Sequence, residues 1–256
     1  MNVFWLQKTE ADVPPDNGWL CTNEVLRLRH MRFAKRRTDW RLGRWTAKCA
    51  VAAYLGRPIG ADFLSDIEVR PALSGAPEVF LVGQPATVSI SLSHSSGKAM
   101  AGIGPSGIAL GCDLETVEPR SDAFLADYFT SEEQYLVACA PVPDRPALVA
   151  LLWSAKESAL KALHEGLRLD TRSVLVNIVG RDRNSAYAVQ SSRKQPAQAL
   201  QPTYRECSQD KWCALELLYT TQGRTFHGWW QTAGNCVRTL VTDLPLLPPL
   251  LLDSPL

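Results

Sequence analysis

Leu151-Leu152-Trp153-Ser154-Ala155-Lys156-Glu157-Ser158-Ala159-Leu160-Lys161 reads as the centre of a helix over residues 147–165, ended by Gly166. At about 100° per residue, Leu148, Leu151, Leu152, Ala155, Ala159, Ala162 and Leu163 share one face, and Glu157, Lys161 and His164 lie opposite. Trp153 and Leu160 flank the polar strip, so that strip is expected to meet protein and not bulk water. Glu157 and Lys161 are four apart and therefore neighbours on the helix. A second stretch completes them. Ile108-Ala109-Leu110-Gly111-Cys112-Asp113-Leu114-Glu115 reads as a strand over 107–115, closed by Pro119, with Asp113 and Glu115 on one face. Three carboxylates and an ammonium are a set able to hold a divalent cation and a phosphate group.

Composition allows this reading and narrows it. The chain has 256 residues, 46% hydrophobic and 21% charged, ordinary for a globular protein with one large core or two smaller ones. A net charge of +1 argues against general nucleic-acid binding, although Arg27 to Lys48 is dense in positive charge and suits phosphates. The 7 cysteines form no C-x-x-C pair, which fits a reducing cytoplasm better than a disulfide framework or zinc site. No apolar run reaches membrane-helix length, and the first ten residues lack signal-peptide character.

An internal echo suggests duplication. Trp45-Thr46-Ala47-Lys48 is repeated as Trp153-Ser154-Ala155-Lys156, and at the same offset the β-prone run 65–70 falls on 173–178. Elsewhere the pattern predicts a helix over 36–56 and strands at 63–70, 87–93, 98–103, 173–179, 185–190, 212–219 and 224–231. Residues 71–86 read as a Pro/Gly-rich loop and 140–146 as a linker. Ser131 opens a helix with Gln134 in capping-box spacing. The segment 191–210 is polar with little pattern, and the Pro/Leu-rich tail 246–256 is expected to lie irregularly on the surface.

Gly111-Cys112-Asp113-Leu114-Glu115, followed about forty residues later by Trp153-Ser154-Ala155-Lys156-Glu157-Ser158-Ala159-Leu160-Lys161, resembles the paired motifs of the 4'-phosphopantetheinyl transferase superfamily. The resemblance is to the long single-chain type that activates peptide- and polyketide-synthase carrier proteins. It implies an α+β fold of two similar α/β halves related by a pseudo-twofold, with the active site between them. The N-terminal half would be 1–110 and the C-terminal half 111–245. It further implies Mg²⁺ on Asp113, Glu115 and Glu157, with Glu115 the least secure ligand. Glu157 would act as general base, directly or through a metal-bound water, and Lys161 would bond the transferred phosphate. Ser93 would contact the diphosphate and His94 the 3'-phosphate of coenzyme A, helped by Arg36, Arg37 and Lys48. Gly75-Ala76-Pro77 stands where the family has Gly-Lys-Pro along the adenine; Ala76 lacks that lysine's charge, and Arg70 is a candidate to replace it.

The implied activity is that of a cytoplasmic, monomeric holo-carrier-protein synthase of secondary metabolism. It would move phosphopantetheine to a carrier serine and release adenosine 3',5'-bisphosphate. Coenzyme A and an apo acyl or peptidyl carrier protein would be its partners, with no nucleic acid or membrane. The carrier would dock on 118–144, where Phe124, Leu125, Tyr128 and Phe129 add apolar bulk that could equally pack a core. The alternative is a non-catalytic coenzyme A- or carrier-binding module. A Ser/His hydrolase is disfavoured, since no G-x-S-x-G occurs and adjacent strand residues point apart.

Overall fold

The structure, a computed structural model, describes residues 2–165, 168–179, 211–245 and 247–252. The strand expected at 185–190, the polar segment 191–210, Gly166 and part of the tail lie outside the described residues. The fold is mixed α+β with three sheets. The first is four-stranded, in the order β12 (Leu250–Leu251), β1 (Phe4–Thr9), β6 (Lys98–Pro105), β5 (Val88–Ser95). The second is five-stranded, in the order β7 (Leu110–Thr116), β11 (Cys236–Thr242), β10 (Arg224–Ala233), β9 (Cys213–Tyr219), β8 (Val174–Ile178). A small third sheet joins β2 (Ile67–Pro71), β3 (Pro77–Leu81) and β4 (Gln84–Pro85).

Each large sheet is covered by one long helix. Helix α2 (Ala34–Tyr54) packs Ala47, Cys49, Ala50 and Val51 into the core over the first sheet. Helix α6 (Arg145–Ala162) does the same with Leu151, Ala155, Ala159 and Leu160 over the second. Shorter helices α1 (Thr22–Arg29), α3 (Ala61–Asp66), α4 (Asp122–Tyr128) and α5 (Ser131–Cys139) complete the set. Among the described residues no helix is long and apolar enough to cross a membrane.

The alternating serines of β5 have a specific job. Strands β5 and β7 belong to different sheets, and serine side chains join them. Ser89 donates to Ile108 O (3.1 Å), Ser91 accepts from Cys112 N (2.9 Å), Ser93 donates to Asp113 Oδ1 (2.7 Å), and Ser95 bonds Thr116 (3.1 Å). Residues i and i+2 share a strand face, so one period-2 pattern supplies the whole seam.

The repeated tetrads carry one device twice. Lys48 is fully buried, 2.5 Å from Glu24 and 3.0 Å from the carbonyls of Trp19 and Leu64. Lys156 is also fully buried, 2.9 Å from Glu133, and donates to the carbonyls of Thr171 and Val174. Each glutamate sits at the third position of a short helix and accepts from that helix's N-cap amide, Cys21 or Thr130. Burial lowers the pKa of both lysines, and the glutamates oppose that shift. A buried charge of this kind is tolerated because every donor finds an acceptor.

Several expectations are corrected. The N-cap of α5 is Thr130, reciprocated by Glu133, and not Ser131 with Gln134. The 71–86 loop holds strands β3 and β4, whereas the first part of the strand expected at 63–70 is helix α3. The tail is not irregular throughout. Leu250 and Leu251 pair in parallel with Phe4 and Trp5, where Leu250 N bonds Val3 O (3.0 Å) and Leu252 N bonds Trp5 O (2.9 Å). Cysteines 21, 49, 112, 139 and 236 are free, and Cys213 is disulfide-bonded.

Candidate active site

Gly111 makes the site's geometry possible. A Cβ built there would stand 1.8 Å from Ser158 O and 2.8 Å from Ala162 N, so α6 lies on β7 at a distance only glycine allows. That approach sets the polar strip of α6 over Asp113. The Asp113 carboxylate is 3% exposed. Its Oδ1 accepts from Ser93 Oγ and Lys161 Nζ, each at 2.7 Å, and Lys161 Nζ also donates to Cys112 O at 3.1 Å. Oδ2 is buried with no hydrogen-bond partner among the described residues. The ion pair of Lys161 is therefore with Asp113 across the elements. Burial works against its ammonium, but Asp113, Cys112 and Glu157 more than offset this, and its pKa is raised.

Glu115 is two residues on, on the same face. Its Oε1 accepts from Trp153 Nε1 (3.2 Å) and its Oε2 from Arg120 (3.3 Å). Burial first, then the Asp113 charge, push its pKa up to about 7 despite Arg120 and Trp153. Burial and Asp113 also raise the pKa of Glu157, with Lys161 opposing. Three carboxylates thus crowd one another.

Among the described residues no group of three or more His, Cys, Asp or Glu stands in metal-holding geometry. The donor set still fits a hard divalent cation. It is all oxygen, it includes an unpartnered buried carboxylate oxygen, and Mg²⁺ needs only one or two carboxylates beside waters and substrate phosphate.

With the folded pKa of Glu115 above the ordinary carboxyl value of 4.5, the folded state holds the extra proton between about pH 4.5 and 7, so stability falls as pH rises through that window. Glu115→Gln should therefore melt higher than metal-free wild type near pH 8, by roughly 2 kcal/mol, and lose the advantage near pH 4. Equal melting curves at both pH values would show that Glu115 is not so strained. Thermal melts in chelator measure this directly.

The seam opens into a cleft of about 530 Å³ lined by Lys35, Arg36, Trp40, Arg44, Ser93 and His94, with Phe33, Asp39, Gly43 and Leu92. Arg36 and His94 thus meet in one place. Arg44 was missed in the sequence reading, yet Arg36, Trp40 and Arg44 recur every four residues, one helical face. Its guanidinium lies 5.0 Å from the Trp40 ring centroid, and its Nε is 3.8 Å from Glu24, an ion pair without a hydrogen bond among the described residues. Lys48, on the same face, is corrected: it is sealed in the core on Glu24 and offers no charge to the cleft. Arg37 is exposed on another face and does not line the cleft. Arg70, the candidate at the Gly75–Pro77 loop, stacks 3.7 Å from the Phe80 centroid, pairs with Glu68 and stands opposite Glu78 in the β2–β3 register.

Gly75 (φ 93°) and Ala76 form the turn between β2 and β3, where Ala72 N bonds Ala76 O at 2.8 Å. Pro77 lines a second cleft of about 290 Å³ with Glu78, Phe80, Ser89, Leu110 and His164, among others. On 118–144, Phe129 is core, Phe124 and Leu125 pack against it, and Tyr128 stays 37% exposed. Phe124 and Tyr128 sit 5.1 and 5.0 Å from Trp153, so aromatic packing backs the hydrogen bond to Glu115.

Residues 109–214 match the model of the 4'-phosphopantetheinyl transferase superfamily. No curated protein matches the chain.

Proposed function

We propose that this protein transfers 4'-phosphopantetheine from coenzyme A to a serine of an acyl or peptidyl carrier protein. One observation carries the reading. Asp113 holds Lys161 and Ser93 on one oxygen and leaves the other without a hydrogen bond among the described residues, and Ser93 itself lines a cationic cleft. Arg36, Arg44 and His94 would bind the 3'-phosphate, through charge-assisted bonds that arginine makes bidentately. Asp113, Glu115 and Glu157 would hold Mg²⁺, which supplies neutralising charge to the diphosphate when bound. Lys161, with Ser93 beside it, fixes the transferred phosphate. The carrier serine oxygen bonds to the pantetheine-side phosphorus, the bond to adenosine 3',5'-bisphosphate breaks, and the serine proton passes to Glu157. A raised pKa suits Glu157 to that proton.

The pseudo-twofold pair of halves, 1–110 and 111–245, is part of this reading, supported by the doubled Lys–Glu device. So are a monomeric state, a cytoplasmic location and carriers of polyketide or nonribosomal peptide synthesis, docked at Tyr128 and the neighbouring α4–α5 surface. The site assignments for Gly75, Ala76 and Pro77 at the adenine are likewise proposed. The non-catalytic alternative keeps the basic cleft and has no use for the strained carboxylates.

The test is mass spectrometry of apo carrier proteins incubated with coenzyme A, Mg²⁺ and enzyme. A gain of one phosphopantetheine group, abolished by chelator and restored by Mg²⁺, is expected. Tight coenzyme A binding with no gain on any carrier would favour the binding module. For the cleft, His94→Ala should raise KM for coenzyme A about tenfold and narrow its preference over the 3'-dephospho analogue, the worth of one charge-assisted bond. An unchanged preference in His94→Ala, Arg36→Ala and Arg44→Ala would remove the 3'-phosphate from this cleft.

A further inference from the structure

Helices α2 and α6 end in the same way with different residues. After α2, Gly56 N bonds Ala53 O (3.0 Å) and Arg57 N bonds Ala52 O (2.8 Å), with Gly56 at φ 64°. After α6, His164 N bonds Lys161 O (3.0 Å) and Glu165 N bonds Leu160 O (3.3 Å), with His164 at φ 58°. Both are the paired-bond cap that needs a left-handed residue, for which glycine is favoured and a Cβ is a cost. Counted from Trp45 and Trp153, Gly56 and His164 occupy the same place in the repeated unit. One unit uses glycine there, and the other keeps an imidazole against the conformational preference. A non-glycine residue at this left-handed position motivates a role for its side chain.

That side chain lines the second cleft. Its other walls are Pro77, Val79, Phe80, Pro85, Ile90 and Leu110, with Ser89 and Glu78 as the other polar groups. Apolar side chains with polar groups between them suit a flat heterocycle that carries hydrogen-bonding atoms at its rim. Glu78 is the one carboxylate among the lining residues, an acceptor for an exocyclic amine. The cleft adjoins both parts of the site. Ile90 is two residues from Leu92 on the same face of β5, and Leu92 lines the cationic cleft. His164 is three residues beyond Lys161, about 5 Å along the helix path.

Resting on the proposed transferase reading, we propose that His164 is a specificity residue that holds the purine ring of coenzyme A in this second cleft. The 3'-phosphate then lies in the neighbouring cationic cleft. His164 contributes ring surface and a polar edge, and its energetic cost to the helix end is the trade for that contact.

Calorimetric titration of coenzyme A, adenosine 3',5'-bisphosphate and 4'-phosphopantetheine into wild type and His164→Gly, with melting curves, tests this. His164→Gly should melt higher, because the cap is relieved. Its affinity for coenzyme A and for the bisphosphate should fall about tenfold, the scale of one lost stacking contact, with 4'-phosphopantetheine unaffected. A purely structural His164 would give the higher melting point with unchanged affinities, which overturns the proposal. A loss confined to 4'-phosphopantetheine would also overturn it, placing the pantetheine arm in the cleft. The expected binding pattern without labelling of any carrier would uphold the cleft assignment and sink the transferase reading.

Discussion

Gly111→Ala is expected to destabilise the protein by about 3 kcal/mol or more, the upper range for overpacking. The added methyl would meet Ser158 O at 1.8 Å and Ala162 N at 2.8 Å, both backbone of α6. Neither can swing away as a side-chain tip can, so the helix must lift from β7. Lifting it unpacks Ala155, Ala159 and Leu160, all fully buried, from their cluster. It also draws Lys161 from Asp113, so activity in the folded remainder should fall with stability. Gly43→Ala is the contrast: nothing lies within 4 Å of its added Cβ, and a mid-helix glycine replaced by alanine should gain roughly 0.5–1 kcal/mol. Thermal and denaturant melts of both variants decide it. A Gly111→Ala protein as stable as wild type would mean that α6 does not seat on β7 as described.

Lys161→Met should lower kcat by roughly 10²–10³, the scale of one lost electrostatic stabiliser, with a smaller rise in KM. Methionine keeps much of the aliphatic stem, so packing changes little. The structure adds a second expected effect. Asp113 is 3% exposed, and losing Lys161 strands its charge, which costs about 3–5 kcal/mol for a broken buried pair. The two effects separate in the double variant Asp113→Asn, Lys161→Met. Removing both charges should return much of the stability and none of the activity. If Lys161→Met alone kept near-normal kcat, Lys161 would be a structural partner of Asp113 alone. Kinetics at saturating coenzyme A, paired with melts, give both readings.

What the chain declares openly is local. Helix α6 and strand β7 were legible because an apolar face and a bounded run define them without long-range information, and their acids and Lys161 came with them. The serine alternation of β5 was visible, but its partner was not, since a seam between sheets leaves no mark in sequence. Lys48 was misplaced for a related reason. A lysine in a basic run looks solvated, and only the fold brings Glu24 and two carbonyls to it. Strand β11 escaped because it is almost wholly buried and does not alternate. Strand β3 escaped because Pro77 and nearby turn residues mimic a loop. Arg44 was within reach through its four-residue spacing from Arg36 and Trp40, but a dense basic run hides which of its charges share a face.

The parallel pairing of Leu250–Leu251 with Phe4–Trp5 bears on how the chain is made. Synthesis proceeds from the first strand to the last, so the outer edge of β1 waits for nearly the whole chain to emerge. An unpaired strand edge is a template for other chains. Until residue 252 has left the ribosome, the first sheet offers its open backbone to any neighbour, and nascent chains on one message carry the same open edge side by side. Emergence of Leu250–Leu252 covers that edge where it is most apolar, at Phe4 and Trp5.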